Sequence, residues 1–207
     1  MKIKNILRRF RSAKYWEKRY SRGGNSGSGS YDHLAEFKAN IINAFVKEKN
    51  ITRVIELGCG DGNQLGYFHF IEYLGLDISQ TAVDLCKQKY RDDNTKSFQL
   101  YTGKIAKQAE LVLSLDVIFH LVEEDVYINY MHSLFTAAQR YVIIYASNSD
   151  DQRYNAQHFY QRQFAPWVES HFPNFLLKKV IKNDYPYNPA QENSGSLSNF
   201  YIYEKVD

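Results

Sequence analysis

The run Val54-Ile55-Glu56-Leu57 ends in Gly58-Cys59-Gly60-Asp61-Gly62-Asn63-Gln64, and this junction limits the fold more than any other stretch of the 207 residues. A short apolar segment bounded by glycines reads as a strand buried on both faces, the kind found in parallel sheets. Gly58, Gly60 and Gly62 permit a tight turn and let a ligand approach backbone that a Cβ would shield. A second apolar segment ends in Gly75-Leu76-Asp77-Ile78-Ser79. It sets a carboxylate at a strand tip about 20 residues beyond the turn, the spacing at which an acid accepts hydrogen bonds from ribose hydroxyls. Together the two segments describe a crevice for an adenosine-containing cofactor.

The acids in the turn narrow the cofactor class. A dinucleotide turn, G-x-G-x-x-G, places a pyrophosphate at a helix N-terminus. Here Glu56 precedes the first glycine and Asp61 lies inside the loop. Two carboxylates repel a pyrophosphate but favour the ammonium and sulfonium of S-adenosylmethionine. The E-x-G-x-G-x-G turn followed by Asp77 resembles the first motifs of the class I S-adenosylmethionine-dependent methyltransferases. That resemblance implies a doubly wound, Rossmann-like α/β fold, with a seven-stranded, mostly parallel sheet and a C-terminal antiparallel hairpin. It also implies S-adenosylmethionine as cofactor, held by Glu56, Gly58, Cys59, Gly60, Asp61, Gly62, Asn63 and Gln64 at the turn. Asp77, Ile78 and Ser79 follow the second strand, with the ribose on Asp77, and Leu115 and Asp116 end the fourth. An acid after strand three often meets adenine in relatives. This chain has Leu100-Tyr101-Thr102-Gly103-Lys104 there, which leaves adenine to backbone groups or Tyr101.

The order of elements agrees with that fold. Leu34, Phe37, Ile41, Ile42, Phe45 and Val46 recur with period 3.6 and predict a helix over His33 to Lys49. A helix over Lys14 to Tyr20 precedes it. After the glycine turn come a short connecting helix, the strand ending at Asp77, and a helix capped by Ser79 that runs to Tyr90. Strands follow at Ser97 to Tyr101, Leu111 to Leu115 and Tyr141 to Tyr145, with a helix from Glu123 to Arg140. Asn155 to His171 reads as helical. Phe175 to Ile181 and Asn199 to Lys205 alternate as strands. Strand–helix alternation implies right-handed crossovers and a parallel sheet, and the last two strands imply an antiparallel edge.

Residues 1–30 read as a separate N-terminal unit, and 31–207 as a single methyltransferase domain. Within 1–30, Met1 to Arg11 mixes apolar and basic residues, either docking on the chain's own domain or resting on an anionic membrane surface. The glycine–serine run Gly23 to Ser30 is either an inert linker or a lid over the cofactor. Tyr15-Trp16-Glu17-Lys18-Arg19-Tyr20 with Gly23 to Gly27 is similar to a bacterial methyltransferase subgroup that accompanies cell-surface glycan biosynthesis.

Net charge is only +3, too weak for a nucleic-acid footprint over the whole domain. No apolar run approaches the 20 residues of a membrane span. Cys59 and Cys86 fit reduced thiols of a cytoplasmic protein, and no metal cluster is evident.

Leu115-Asp116-Val117-Ile118-Phe119-His120-Leu121 resembles the segment after strand four in many small-molecule O-methyltransferases, with Phe119 where relatives carry an acid. His120, four residues beyond Asp116 and on the same side of a helical turn, is the candidate general base; a packing histidine is the plain alternative. Tyr20, Asn25, Tyr31, His158 and Arg162 are secondary candidates for the substrate, the last two as an i,i+4 helical pair. The expected activity is methyl transfer to an oxygen of a small or saccharide-linked acceptor, such as a capsule or lipopolysaccharide precursor. A nucleic-acid methyltransferase and a non-catalytic cofactor-binding module of a glycan-assembly complex are the competing readings.

Overall fold

The computed structural model describes residues 10–153, 156–190 and 194–206. The basic helix expected at Met1 to Arg11 therefore lies almost wholly outside the described residues. Among the described residues, two α-helices, α1 (Ser12–Ser21) and α2 (Asp32–Glu48), precede the sheet. Strands β1 (Arg53–Leu57), β2 (Glu72–Asp77), β3 (Lys96–Leu100), β4 (Ala109–Leu115) and β5 (Ala138–Ala146) alternate with α3 (Gln80–Lys89) and α4 (Glu124–Thr136). The chain closes with α5 (Phe164–His171), β6 (Phe175–Ile181) and β7 (Asn199–Lys205).

The seven strands form one sheet in the order β3-β2-β1-β4-β5-β7-β6. The first five are mutually parallel, and β7 pairs antiparallel with both β5 and β6. This is the doubly wound sheet with a C-terminal hairpin that the sequence implies. Every residue of β4 except Glu110 is buried, because helices cover both faces. The strand order reverses between β1 and β4, which opens a crevice at their carboxyl ends.

Three elements differ from the sequence reading. The connecting helix after the glycine turn is only a 3-10 turn, Gln64–Tyr67, since few residues separate the turn from β2. The helix from Glu123 stops at Thr136, because Ala138 already pairs with Ala109 in the sheet. Of the helix expected over Asn155 to His171, Asn155 lies outside the described residues, and from residue 156 onward the helix is confined to Phe164–His171. Pro166 lies in its first turn, where a missing N–H is harmless; further into a helix its ring would collide with the carbonyl four residues before it. His158 and Arg162 are therefore not partners on a helix. Among the described residues no helix is long and apolar enough to cross a membrane.

Candidate active site

The crevice begins at the turn after β1. Gly58 takes φ 93° and Gly60 φ 57°, conformations that an L side chain resists. A Cβ on Gly58 would collide with Val117 from the turn after β4, and one on Gly60 with Ser26 Oγ. The N–H groups of Gly58 and Cys59 both donate to Leu76 O, at 2.7 and 3.0 Å, and so lock the turn onto β2.

Asp77 ends β2 and is 6% exposed. Its Oδ2 accepts the Gly60 N–H at 2.9 Å and its Oδ1 the Ser79 N–H at 2.8 Å. Each carboxylate oxygen keeps a lone pair for a ligand hydroxyl. Burial pushes the Asp77 carboxyl up to about 6, against the lowering effect of those N–H donors. Burial likewise raises Glu56 to about 7, although the Tyr73 phenol donates to its Oε2 at 2.6 Å. Gln64 gives its amide N–H to Ala35 O, while its buried Oε1 has no donor. Two buried carboxyl groups and an unserved acceptor make this end of the crevice receptive to a cationic hydrogen-bond donor.

The cavity runs from Glu56, Gly58, Cys59, Gly60, Gln64, Asp77 and Ile78 past Leu115 and Asp116 to His120. Trp16, Tyr20, Tyr101 and Tyr130 contribute aromatic wall, and among the described residues no Lys or Arg lines it. Asp61, Gly62, Asn63 and Ser79 lie outside the lining. The Asp61 carboxylate is instead bound by the N-terminal segment: Oδ2 accepts the Ser26 N–H and the Tyr31 hydroxyl, both at 2.8 Å. In return Ser26 Oγ accepts the Asp61 N–H at 3.0 Å, and the Asn63 amide donates to Ser30 O at 2.7 Å. Ser79 caps α3, accepting the Ala82 N–H, and donates its hydroxyl to Glu17 at 2.7 Å.

His120 closes a 3-10 turn, Ile118–His120, at the far end. Its Nδ1 lies 2.8 Å from His158 O. A carbonyl can only accept, so Nδ1 carries the proton and Nε2 is left with a free lone pair. Burial lowers the imidazole to about 4, which keeps it neutral near pH 7. Trp16 meets the ring edge-on at a centroid distance of 4.9 Å, and Ser12 Oγ donates to His120 O at 2.9 Å.

The other secondary candidates are structural in their contacts. Arg162 donates to Leu121 O at 2.7 Å and Val122 O at 3.2 Å, and lies over the rings of Tyr127 and Tyr160. It braces the chain after His120. Asn25 binds the Arg19 guanidinium and the Gly27 N–H. The ring of His158 stacks on Tyr15 at 4.7 Å.

Sequence reasoning passed over Lys38 and Glu17. Lys38 is buried, with its ammonium 2.7 Å from Asp116 Oδ2. It stands one turn from both Leu34 and Ile42 on the buried face of α2, and a single cation within an apolar stripe is the signal that predicts a buried acid partner. Glu17 accepts from Ser79 and Thr81 at the start of α3, which holds its carboxyl below the usual range. Only its distance in sequence concealed that role.

A methyltransferase-domain family model matches residues 48–193, more than half of the chain. No curated protein matches it. Among solved structures, the N-methyltransferase NodS from Bradyrhizobium japonicum WM9 in complex with S-adenosylhomocysteine superposes with TM-score 0.72 at 10% identity, over 95% of this chain and 99% of that one. Magnesium protoporphyrin IX methyltransferase from Synechocystis PCC 6803 with bound S-adenosylmethionine gives 0.63 at 15% identity, over 95% and 98%. A S-adenosylmethionine-dependent methyltransferase from Anabaena variabilis ATCC 29413 gives 0.66 at 14% identity, over the full length of both chains. Such distant likenesses establish the fold, while the family match reaches the function. The buried acids and the unserved Gln64 acceptor beside the glycine turn suit a nucleoside bearing a sulfonium and an ammonium. The chain belongs to the methyltransferase-domain family and is a class I S-adenosylmethionine-dependent methyltransferase.

Proposed function

We propose that this methyltransferase acts on a neutral hydroxyl of a small or saccharide-linked acceptor, with His120 receiving the hydroxyl proton. The observation that carries this reading is the His120 tautomer: Nδ1–H is committed to His158 O, and Nε2 is free on a residue that lines the same cavity as Asp77. Bound S-adenosylmethionine supplies an electrophilic methyl carbon. The protein's task is to hold the acceptor oxygen in line and to take up its proton. Asp77 and the glycine turn hold the nucleoside, and Glu56 and Gln64 face the cationic end. Trp16 and Tyr101 offer faces on which a sugar or another uncharged ring can rest. A lining without Lys or Arg among the described residues disfavours an anionic acceptor or a polynucleotide backbone at this position. In this reading residues 12–31 act as a lid, fastened through Glu17, Ser26 and Tyr31. Envelope glycan precursors, capsule or lipopolysaccharide, are the first acceptors to test.

The test is incubation with methyl-labelled S-adenosylmethionine and separate pools of sugar nucleotides, envelope glycan precursors, small amines and polynucleotides. A labelled methyl ether on a sugar hydroxyl is expected. Label recovered only on amines or on polynucleotide would overturn the oxygen reading. Cofactor binding without S-adenosylhomocysteine formation in any pool would favour a binding module.

A further inference from the structure

We infer that Lys38 is a positioning residue for methyl transfer, clamping Asp116 so that the turn after β4 presents His120 to the cavity. The inference rests on the reading above, in which His120 acts on the acceptor. Asp116 is the first residue beyond β4 and adopts φ 58°, a left-handed conformation that aspartate tolerates better than most side chains but that still favours glycine. Here both carboxylate oxygens are held by segments remote in sequence: the Lys38 ammonium on Oδ2 at 2.7 Å, and the Ser198 hydroxyl on Oδ1 at 2.9 Å.

The turn that carries His120 begins directly after this clamp. Val117 fills the space that a Cβ on Gly58 would need, and the Ile118–His120 turn closes through the His120 N–H on Val117 O at 2.8 Å. Gly29 presses on the same carboxylate, since a Cβ there would come within 2.9 Å of Asp116 Oδ2. The pair thus sits where α2, the N-terminal loop, the start of β7 and the His120 turn converge. Its stability value does not explain it, because a buried ion pair can often be replaced by apolar residues without loss. Fixing one geometry among several is the role that remains, and the geometry at stake is that of His120. Lys38 itself does not line the cavity, so it acts through Asp116.

The experiment uses the full chain saturated with S-adenosylhomocysteine, with histidine ring nitrogens labelled for NMR. The His120 signal is identified by its loss in Lys38-intact His120→Ala protein. Wild type should show a neutral ring protonated at Nδ1 down to about pH 4. Lys38→Met should lose that signature and titrate nearer the ordinary histidine range, and Lys38→Arg should restore it. Because Lys38→Met leaves Asp116 unpaired and can unfold the protein, Lys38→Met with Asp116→Asn is the companion variant. It should melt as a folded protein and still lack the signature. S-adenosylhomocysteine affinity should change less than about threefold in the single Lys38 variants, because Lys38 does not line the cavity and Asp77 and the glycine turn are untouched. With the hydroxyl acceptor found in the labelled-donor assay, kcat should fall at least about tenfold at an unchanged KM for the methyl donor. A folded companion variant with the wild-type His120 spectrum would overturn the inference. So would a loss of cofactor affinity and thermal stability with that spectrum intact. Failure of the base reading looks different: His120→Ala would keep its turnover whatever Lys38 does.

Discussion

The two ends of the crevice are built by different means. At the cofactor end, Gly58, Gly60 and Asp77 lie within 20 residues of one another at the carboxyl ends of adjacent parallel strands, β1 and β2, so neighbouring backbone makes the pocket. At the acceptor end, His120 depends on His158, Trp16 and Ser12, and Asp116 on Lys38 and Ser198. Those partners come from four separate parts of the chain, Ser12 and Trp16 sharing α1. A pocket made of local backbone tolerates change elsewhere, whereas a geometry assembled from remote side chains can be lost from several directions. Substitutions at the acceptor end should therefore separate turnover from cofactor binding, and substitutions at the cofactor end should not.

The largest effect is expected from His120→Ala. General base catalysis contributes about 10²- to 10⁴-fold, so turnover should fall by at least the lower figure. Affinity for S-adenosylhomocysteine by calorimetry should stay near wild type, because the ring sits beyond the nucleoside contacts. Equal loss of binding and turnover would erase the distinction between the two ends.

Asp77→Ala should act in the opposite manner. Hydrogen bonds to a charged group contribute about 1.5–3 kcal/mol each, so cofactor affinity should weaken by at least about tenfold. The Gly60 and Ser79 N–H groups would lose their acceptor as well. Unchanged affinity by calorimetry would remove Asp77 from the cofactor contacts. Gly58→Ala should have a comparable effect by a different route, since the new Cβ meets Val117 and the φ of 93° is unfavourable.

The same contrast explains what could be read from the sequence alone. Period-two and period-3.6 patterns are local, and the hairpin strands Phe175–Ile181 and Asn199–Lys205 were legible to the residue. The Ser79 cap, the glycine turn and the Asp77 strand tip were legible for the same reason. Contacts between distant segments were not. Nothing near Glu17 announces that it will cap α3, and nothing near Ser26 announces that it will rest on Asp61. The late helix start at Phe164 could have been read from Pro166. Lys38 lay within reach, as the one cation on the 34–38–42 line of α2, yet its partner stands 78 residues away.

The pH dependence sharpens the comparison at smaller amplitude. Glu56 at about 7 and Asp77 at about 6 are raised by burial. For raised acids the stabilising contribution to the free protein is complete below the unfolded value near 4.5 or 3.8, and is lost as pH rises through the folded value. A bound cation reverses the preference, because it favours the ionised carboxylates. Affinity for S-adenosylmethionine should therefore fall as pH drops from about 8 to about 5.5, on the order of tenfold. S-adenosylhomocysteine, which lacks the sulfonium charge, should show a shallower slope. His120 follows the other sign: its lowered value contributes stability above about 6.5 that disappears as pH falls through about 4. Its titration lies outside the window, so an acid limb in kcat/KM between about pH 7 and about pH 6 belongs to the carboxylates. Parallel slopes for the two nucleosides would show that the buried acids do not sense the sulfonium.

The smallest effect tests the segment that joins the two ends. Glu17 accepts from the Ser79 hydroxyl and from the N–H and hydroxyl of Thr81, where the N-terminal dipole of α3 favours an anion. It is partly exposed, so solvent screens the charge and the loss in Glu17→Gln should be modest. Cofactor affinity should weaken no more than about threefold, mostly through faster dissociation. The clearer readout is amide hydrogen exchange over residues 12–31, which should accelerate in the free protein and recover on binding S-adenosylhomocysteine. Trp16 and Tyr20 ride on the same helix as Glu17, one against His120 and the other against the Ser26 hydroxyl above Gly60. Loosening α1 should therefore touch both ends at once, which no substitution confined to either pocket should do. Exchange that stays at the wild-type rate would mean that Glu17 is not what fastens α1, and that the Ser12 N–H on Glu123 Oε1 at 2.9 Å and the Ser26–Asp61 contacts suffice to hold it.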